Sequence, residues 1–152
     1  MATINATVSI SSDIMSYPTS INKTMTMTKA GSCNGLENTS GLNSKKVQST
    51  TRFLLFSNAD ATTLKASKVY IRNTGSSKVN NFVIGYGEDL AATGTNEAIG
   101  RLYGGDWMLI PWDAVAATSH DIYAVASTAE AMTIEYMAFI AVSYTHLRAH
   151  ET

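Results

Sequence analysis

Short segments in which apolar and polar residues alternate run through most of the chain. Val69 and Ile71 alternate with Tyr70 and Arg72, and the same period of two recurs in the later segments. Successive side chains of a strand point to opposite faces, so this pattern predicts strands with one buried face. We predict strands at residues 68–72, 81–86, 98–103, 107–111, 121–126 and 132–140.

Turn-forming residues separate these segments, for example 73–77, 87–89 and 104–106. Short strands at roughly ten-residue spacing, with turn signals between them, are typical of sandwiches and barrels. Parallel βαβ units would need intervening helical patterns, and the sequence contains none. We predict an all-β, single-domain antiparallel β-sandwich, jelly-roll or Ig-like, with eight or nine strands.

The first part of the chain continues the alternating pattern. Residues 3–10 alternate cleanly, which predicts a strand of the domain's own sheet; an arm that reaches a neighbouring subunit is the alternative. Residues 22–29 alternate again, with Met25 and Met27 on one face. Residues 30–44 are rich in Gly, Ser, Asn and Thr and predict a long loop. The apolar run 53–56 predicts a central strand covered on both faces, and Pro111 is expected to end its strand or to lie on an edge.

Residues 142–152 resemble the translation of a transposase adapter that is used in DNA sequencing libraries. We therefore expect one β-sandwich domain at residues 1–141, with an N-terminal strand or arm and the 30–44 loop, followed by an artefactual tail. His146 and His150 lie in this tail, so we assign them no metal site.

The composition excludes some classes of function but does not identify one. The net charge is −1 and only 15% of residues are charged, so no basic stripe indicates nucleic acid. The single cysteine, Cys33, allows no internal disulfide. The N-terminus lacks a signal-peptide pattern, and no apolar stretch approaches the ~20 residues that span a bilayer, so we expect synthesis in a cytoplasm and no membrane partner.

No motif carries recognisable catalytic chemistry. The glycines at 85 and 87 lack the dinucleotide-binding spacing, and no nucleophile-elbow pattern occurs. We predict no catalytic, cofactor-binding or metal-binding residue. Large aromatic side chains fill cores, subunit contacts or sugar-stacking platforms. The possible interface or ligand contacts are Tyr86, Tyr103, Trp107, Trp112 and Tyr123.

Three stretches resemble a small all-β virion structural protein of tailed bacteriophages, of the type met in marine and metagenomic data. They are the opening residues 1–7, the loop 29–42, and the segment 66–74 with the later 99–106 and 110–112. The resemblance implies a repeated subunit of a capsid, neck or tail, located in the virion after assembly in the host cytoplasm. It transfers no catalytic residue.

Two functions follow as hypotheses. The first is a non-enzymatic structural or decoration subunit that forms a homo-oligomer and packs with other virion proteins. The second is a carbohydrate- or receptor-binding module that holds a glycan on exposed Tyr and Trp side chains.

Overall fold

The computed structural model describes residues 3–14, 19–29, 38–60, 67–93, 97–113 and 120–140. These residues form eleven β-strands and one short 3-10 helix, Asn58–Asp60, with no α-helix among them. The tail 142–152 lies outside the described residues, as does most of the 30–44 loop. The strands are β1 (Thr3–Ser12), β2 (Thr19–Lys29), β3 (Asn38–Thr39), β4 (Asn43–Val47), β5 (Phe53–Phe56), β6 (Ser67–Asn73), β7 (Asn81–Tyr86), β8 (Ala98–Tyr103), β9 (Trp107–Trp112), β10 (Ile122–Ala126) and β11 (Met132–Ile140).

Strands β4 to β11 form two antiparallel sheets that pack face to face. Sheet I has the order β4-β11-β6-β9, and the short β3 pairs with the far end of β11. Sheet II has the order β5-β10-β7-β8. The main apolar core lies between them and takes side chains from both sheets, among them Ile71, Ile134, Phe82 and Ile122. The predicted all-β antiparallel sandwich is confirmed.

The path of the chain distinguishes the two predicted sandwich types. From β4 to β11 the chain changes sheet at every connection except the one between β7 and β8. This alternation between two four-stranded sheets is the jelly-roll arrangement rather than the Ig-like one. The predicted number of eight or nine strands is wrong. Strand β3 and the first residues of β4 lie in the predicted 30–44 loop and carry little apolar pattern. They are strands because they pair with β11.

Alternation along the strands sets the core as predicted. Val69 and Ile71 of β6 are fully buried, and Phe82 and Ile84 of β7 are fully buried opposite them. Polar side chains connect the sheets at one end of this core. Asn73 is buried, and its Nδ2 donates to the carbonyl oxygen of Leu102 at 2.9 Å, which links β6 of sheet I to β8 of sheet II.

Strand β5 is an edge strand, which corrects the prediction of a central strand covered on both faces. Among the described strands it pairs only with β10, and Leu54 is 44% exposed. The register shifts where Ile122 and Tyr123 of β10 pair with β5, so Leu55 is an extra residue of a β-bulge. The bulge allows the adjacent residues Leu55 and Phe56 both to be buried. The apolar run therefore reflects a bulge, not a two-sided environment.

Strand β9 lies at the edge of sheet I, and β6 is its only partner in the part of the chain that the structure describes. Pro111 lies within it, opposite Lys68. Because proline has no N–H to donate, an edge position leaves no ladder hydrogen bond broken. The expectation for Pro111 is confirmed.

Strands β1 and β2 pair with each other over almost their full length and with no strand of sheets I or II. This pair, here called the ribbon, corrects the prediction that residues 3–10 join the domain's own sheet. The ribbon is nevertheless attached to the domain through side chains. Ile4, Ala6 and Met27 pack against the outer face of sheet I, with Phe139 as the buried centre of the contact. The part of that outer face beneath the ribbon is apolar, so covering it removes apolar surface from water.

Candidate functional site

The ribbon has one apolar and one polar face. Residues that pair directly across an antiparallel ladder share a face. Ala6 pairs with Met25, and Ile10 pairs with Ile21, which defines the apolar face together with Val8. Lys23, which pairs with Val8, is the one charged residue among them. The other face carries uncharged polar groups, such as Thr7 and Thr24, whose hydroxyls are 2.8 Å apart, and Asn5, Ser9 and Asn22.

The described residues cover only half of the apolar face. Near the domain, Met27 is 3% exposed against sheet I. Further along the ribbon, Ile10 is 51% exposed, Ile21 is 42% exposed and Met25 is 45% exposed. The ribbon therefore overhangs the domain, and its distal half presents apolar side chains to solvent. An isolated two-stranded hairpin is only marginally stable in water, so an uncovered half gains stability from a partner surface.

A groove of about 490 Å³ separates the ribbon from the outer face of sheet I. Trp107 lines it and is 53% exposed, and its cross-strand neighbour Arg72 lines it as well. Ala6 and Val8 form the ribbon side of the groove, so the groove is continuous with the apolar face. We call the distal residues Val8, Ile10, Ile21 and Met25, together with Trp107, the assembly surface.

Two of the five aromatic residues predicted as contacts point inward. Trp112 is 1% exposed, and its indole Nε1 donates to the carbonyl oxygen of His120 at 2.8 Å. Tyr86 is partly buried against the core, with its ring centroid 6.4 Å from that of His120. Burial raises the pKa of Tyr86, and the nearby Asp113 carboxylate raises it further. Trp107 and Trp112 face opposite ways, as their spacing predicts.

The remaining two candidates lie on sheet II. Tyr123 is on its outer face, packed beside Val83, Leu90 and Val125. The Arg52 guanidinium lies 5.3 Å from the centre of the Tyr123 ring, within cation–π distance. Tyr103 ends β8 and pairs with Asn81 at the other end of β7. The structure thus places the five residues on three different faces and does not bring them together into one flat platform.

Charged and metal-binding groups are sparse in the described part of the chain. No group of three or more His, Cys, Asp or Glu side chains there is arranged to hold a metal ion. Cys33 lies outside the described residues. In the same ranges no helix has the length and apolar character required to cross a bilayer.

Trp107 was predicted as a contact residue, but the aliphatic half of the assembly surface was not. The sequence does contain a signal for it: residues 3–10 and 22–29 alternate with the same period, and the polar connector between them contains Pro18. Two alternating segments on either side of a short polar connector indicate a hairpin. Taken separately, each segment indicates a strand but not its partner.

Comparison with known protein families finds no match, and no curated protein is similar to this chain. Among solved structures, a crystal structure of the Yersinia pseudotuberculosis-derived mitogen (YPM) is similar over 72% of this chain and 92% of that chain. Its sequence identity is 9% and its TM-score is 0.39. A likeness of this size carries no argument about the function of this chain.

Proposed function

We propose that this chain is a non-enzymatic structural or decoration subunit of a bacteriophage particle and that it acts by packing with copies of itself and with other virion proteins. The observation that carries the proposal is the ribbon, whose apolar face is half covered by its own domain and half exposed at Ile10, Ile21 and Met25. The function is contact between subunits, so it requires neither a cofactor nor a catalytic residue.

A second copy of the chain is the partner that suits the exposed half best. The covered half of the same face already packs on the outer face of sheet I, where Tyr70, Leu109 and Met137 receive Ile4 and Ala6. Each copy's own ribbon occupies this part of sheet I, so the apolar surface that stays exposed is the distal half of the ribbon. A second copy exposes the same residues, so two ribbons can cover each other's Ile10, Ile21 and Met25, and repeated subunits form closed symmetric assemblies by default.

Trp107 gives the assembly surface a large aromatic anchor. Tryptophan side chains at the centre of an interface commonly contribute a large part of its binding energy. Trp107 is half exposed beside the ribbon, so a neighbour that covers the distal ribbon would cover it too. The net charge of −1 leaves little long-range repulsion between copies.

The jelly roll agrees with this role, because it occurs in viral capsid domains as well as in lectins and cupins. A fold by itself does not define a function. The phage assignment rests on the resemblance of residues 1–7, 29–42, 66–74, 99–106 and 110–112 to virion structural proteins, and the ribbon supplies the physical reason for assembly.

Proteomics on purified virus-sized particles tests the location. The experiment searches the particle fraction and the cellular fraction of one source sample for peptides from residues 2–141. We expect abundant peptides in the particles and few in the cells. Peptides confined to the cellular fraction would contradict the virion assignment.

A further inference from the structure

A second cavity opens at one end of the sandwich, away from the assembly surface. Its volume is about 320 Å³, within the range typical of small-molecule sites. It lies between the end of β5 in sheet II and strands β9 and β11 of sheet I. The cavity is lined by Ser40, Asn43, Leu55, Phe56, Ser57, Asp60, Trp112, Tyr136, Ala138 and Ile140.

Three aromatic rings form the wall of this cavity. The Phe56 ring lies 5.9 Å from the Trp112 ring and 5.6 Å from the Tyr136 ring, the latter in an edge-to-face contact. The hydrogen bond from the Trp112 indole to the His120 carbonyl oxygen fixes the orientation of that ring. Trp112 is 1% exposed and Phe56 is 6% exposed, so these two rings support the wall from behind, and the partly exposed Tyr136 provides the apolar contact to the C–H groups of a ring-shaped ligand.

The mouth of the cavity carries polar groups that mostly accept hydrogen bonds. The Asn43 Nδ2 donates to the Gly41 carbonyl oxygen at 3.1 Å, which leaves the amide oxygen of Asn43 as an acceptor. Asp60 is exposed, and an ionised carboxylate only accepts. Ser40 is occupied, because its Oγ donates to Gly41 and accepts from the Ala138 N–H. A ligand that satisfies these acceptors brings hydrogen-bond donors, and hydroxyl groups are donors of this kind.

We infer that this cavity binds a single saccharide unit, with an apolar face of the sugar ring on Tyr136 and its hydroxyl groups donating to Asp60 and Asn43. A saccharide combines the two features that the site requires, C–H faces and several hydroxyl donors. The site is separate from the assembly surface and does not depend on the proposed virion function. It also differs from a flat platform, since of the five aromatic residues predicted as contacts only Trp112 lines it.

Intrinsic fluorescence can test the inference because the chain has only two tryptophans. In the full chain carrying Trp107→Phe, Trp112 is the single tryptophan and lies in the cavity wall. Methyl glycosides of glucose, galactose, mannose and N-acetylglucosamine are titrated one at a time. We expect a saturable change in emission for at least one of them, with a dissociation constant on the order of 1 mM, as suits a small ligand with few contacts.

Variants in the same background separate the site from general effects. Asp60→Ala should weaken binding by about tenfold, because it removes a charged acceptor, and Asp60→Asn should weaken it less because one acceptor oxygen remains. Asp89→Ala is the matched control, since Asp89 is an exposed aspartate outside the cavity, and it should bind as tightly as the parent.

Three results would overturn the inference. They are no emission change with any of the four glycosides, equal weakening by Asp60→Ala and Asp89→Ala, or saturable binding of tetramethylammonium without binding of any glycoside, which would indicate a site for organic cations. The oligomeric mass of each variant is measured in parallel. A loss of sugar binding with unchanged mass concerns this site, and a change of mass concerns the assembly surface.

Discussion

At the scale of single residues, Tyr86 shows how the end of the sandwich affects a titratable group. Tyr86 is the last residue of β7, and its side chain is partly buried against the core beside His120. Burial first, and then the Asp113 carboxylate, raise its pKa above the ordinary value of 10.0. The folded chain therefore holds the phenolic proton more tightly than the unfolded chain does.

This difference predicts a pH-dependent loss of stability that Tyr86→Phe reduces. Below about pH 10 the phenol is neutral in both states, so its contribution is fully present. As the pH rises further, the unfolded chain loses the proton first, and stability falls until the pH has passed the folded-state pKa. Urea unfolding of both proteins from neutral pH to about pH 11 measures the effect. Equal losses of stability would contradict it.

The inward or outward direction of most strand side chains was predictable from alternation alone. Val69 and Ile71 are buried as expected. Leu55 was not predictable, because a bulge breaks the period of two without a local signal in an apolar run. The two-residue period of a strand also predicts that Trp107 and Trp112 face opposite ways. It does not predict which of them is buried, because the packing of the second sheet decides that.

At the scale of strands, close backbone packing constrains β7 and β8. A Cβ atom on Gly85 would lie 2.5 Å from the carbonyl oxygen of Glu97 and 2.5 Å from Leu90 Cδ1. Gly100 lies in the neighbouring strand, opposite Ile84, and a Cβ there would meet nothing within 4 Å. The two glycines thus provide a matched pair in one sheet.

Gly85→Ala should destabilise the protein by about 1–3 kcal/mol, because the chain that approaches it must move. Gly100→Ala should change the free energy of unfolding by no more than about 0.5 kcal/mol, or increase it slightly by restricting the unfolded chain. Urea denaturation of the two variants beside the parent measures both. A Gly85→Ala protein as stable as Gly100→Ala would refute the close approach.

The ribbon is the element that sequence analysis predicted least well. An alternating segment such as residues 3–10 looks the same whether it joins a sheet or pairs with a single neighbour. The position of the ribbon depends on contacts between residues that are distant in sequence: Ile4 and Met27 pack against Phe139. The apolar pattern predicted a buried face, and the structure covers only half of that face with the chain's own residues.

At the scale of the whole molecule, spacing and turn signals were sufficient for the sandwich but not for its strand order. Neighbours such as β11 and β6 are far apart in sequence, and alternation within each strand does not state which strands pair. The assembly surface follows the same rule. Trp107 could be selected as a large aromatic residue, whereas Ile10 and Ile21 become notable only because nothing in the described chain covers them.

The mass of the full chain in solution, measured by multi-angle light scattering, tests assembly through the ribbon most directly. One chain has a mass of 16.3 kDa. We predict a multiple of this mass for the parent protein and the mass of one chain for the variant Ile10→Ser with Ile21→Ser, because serine removes the apolar contact. Asn5→Ser with Asn22→Ser, on the polar face, is the control and should keep the parent mass. A parent protein that remains at the mass of one chain, or an isoleucine variant that keeps a multiple of it, would contradict the account.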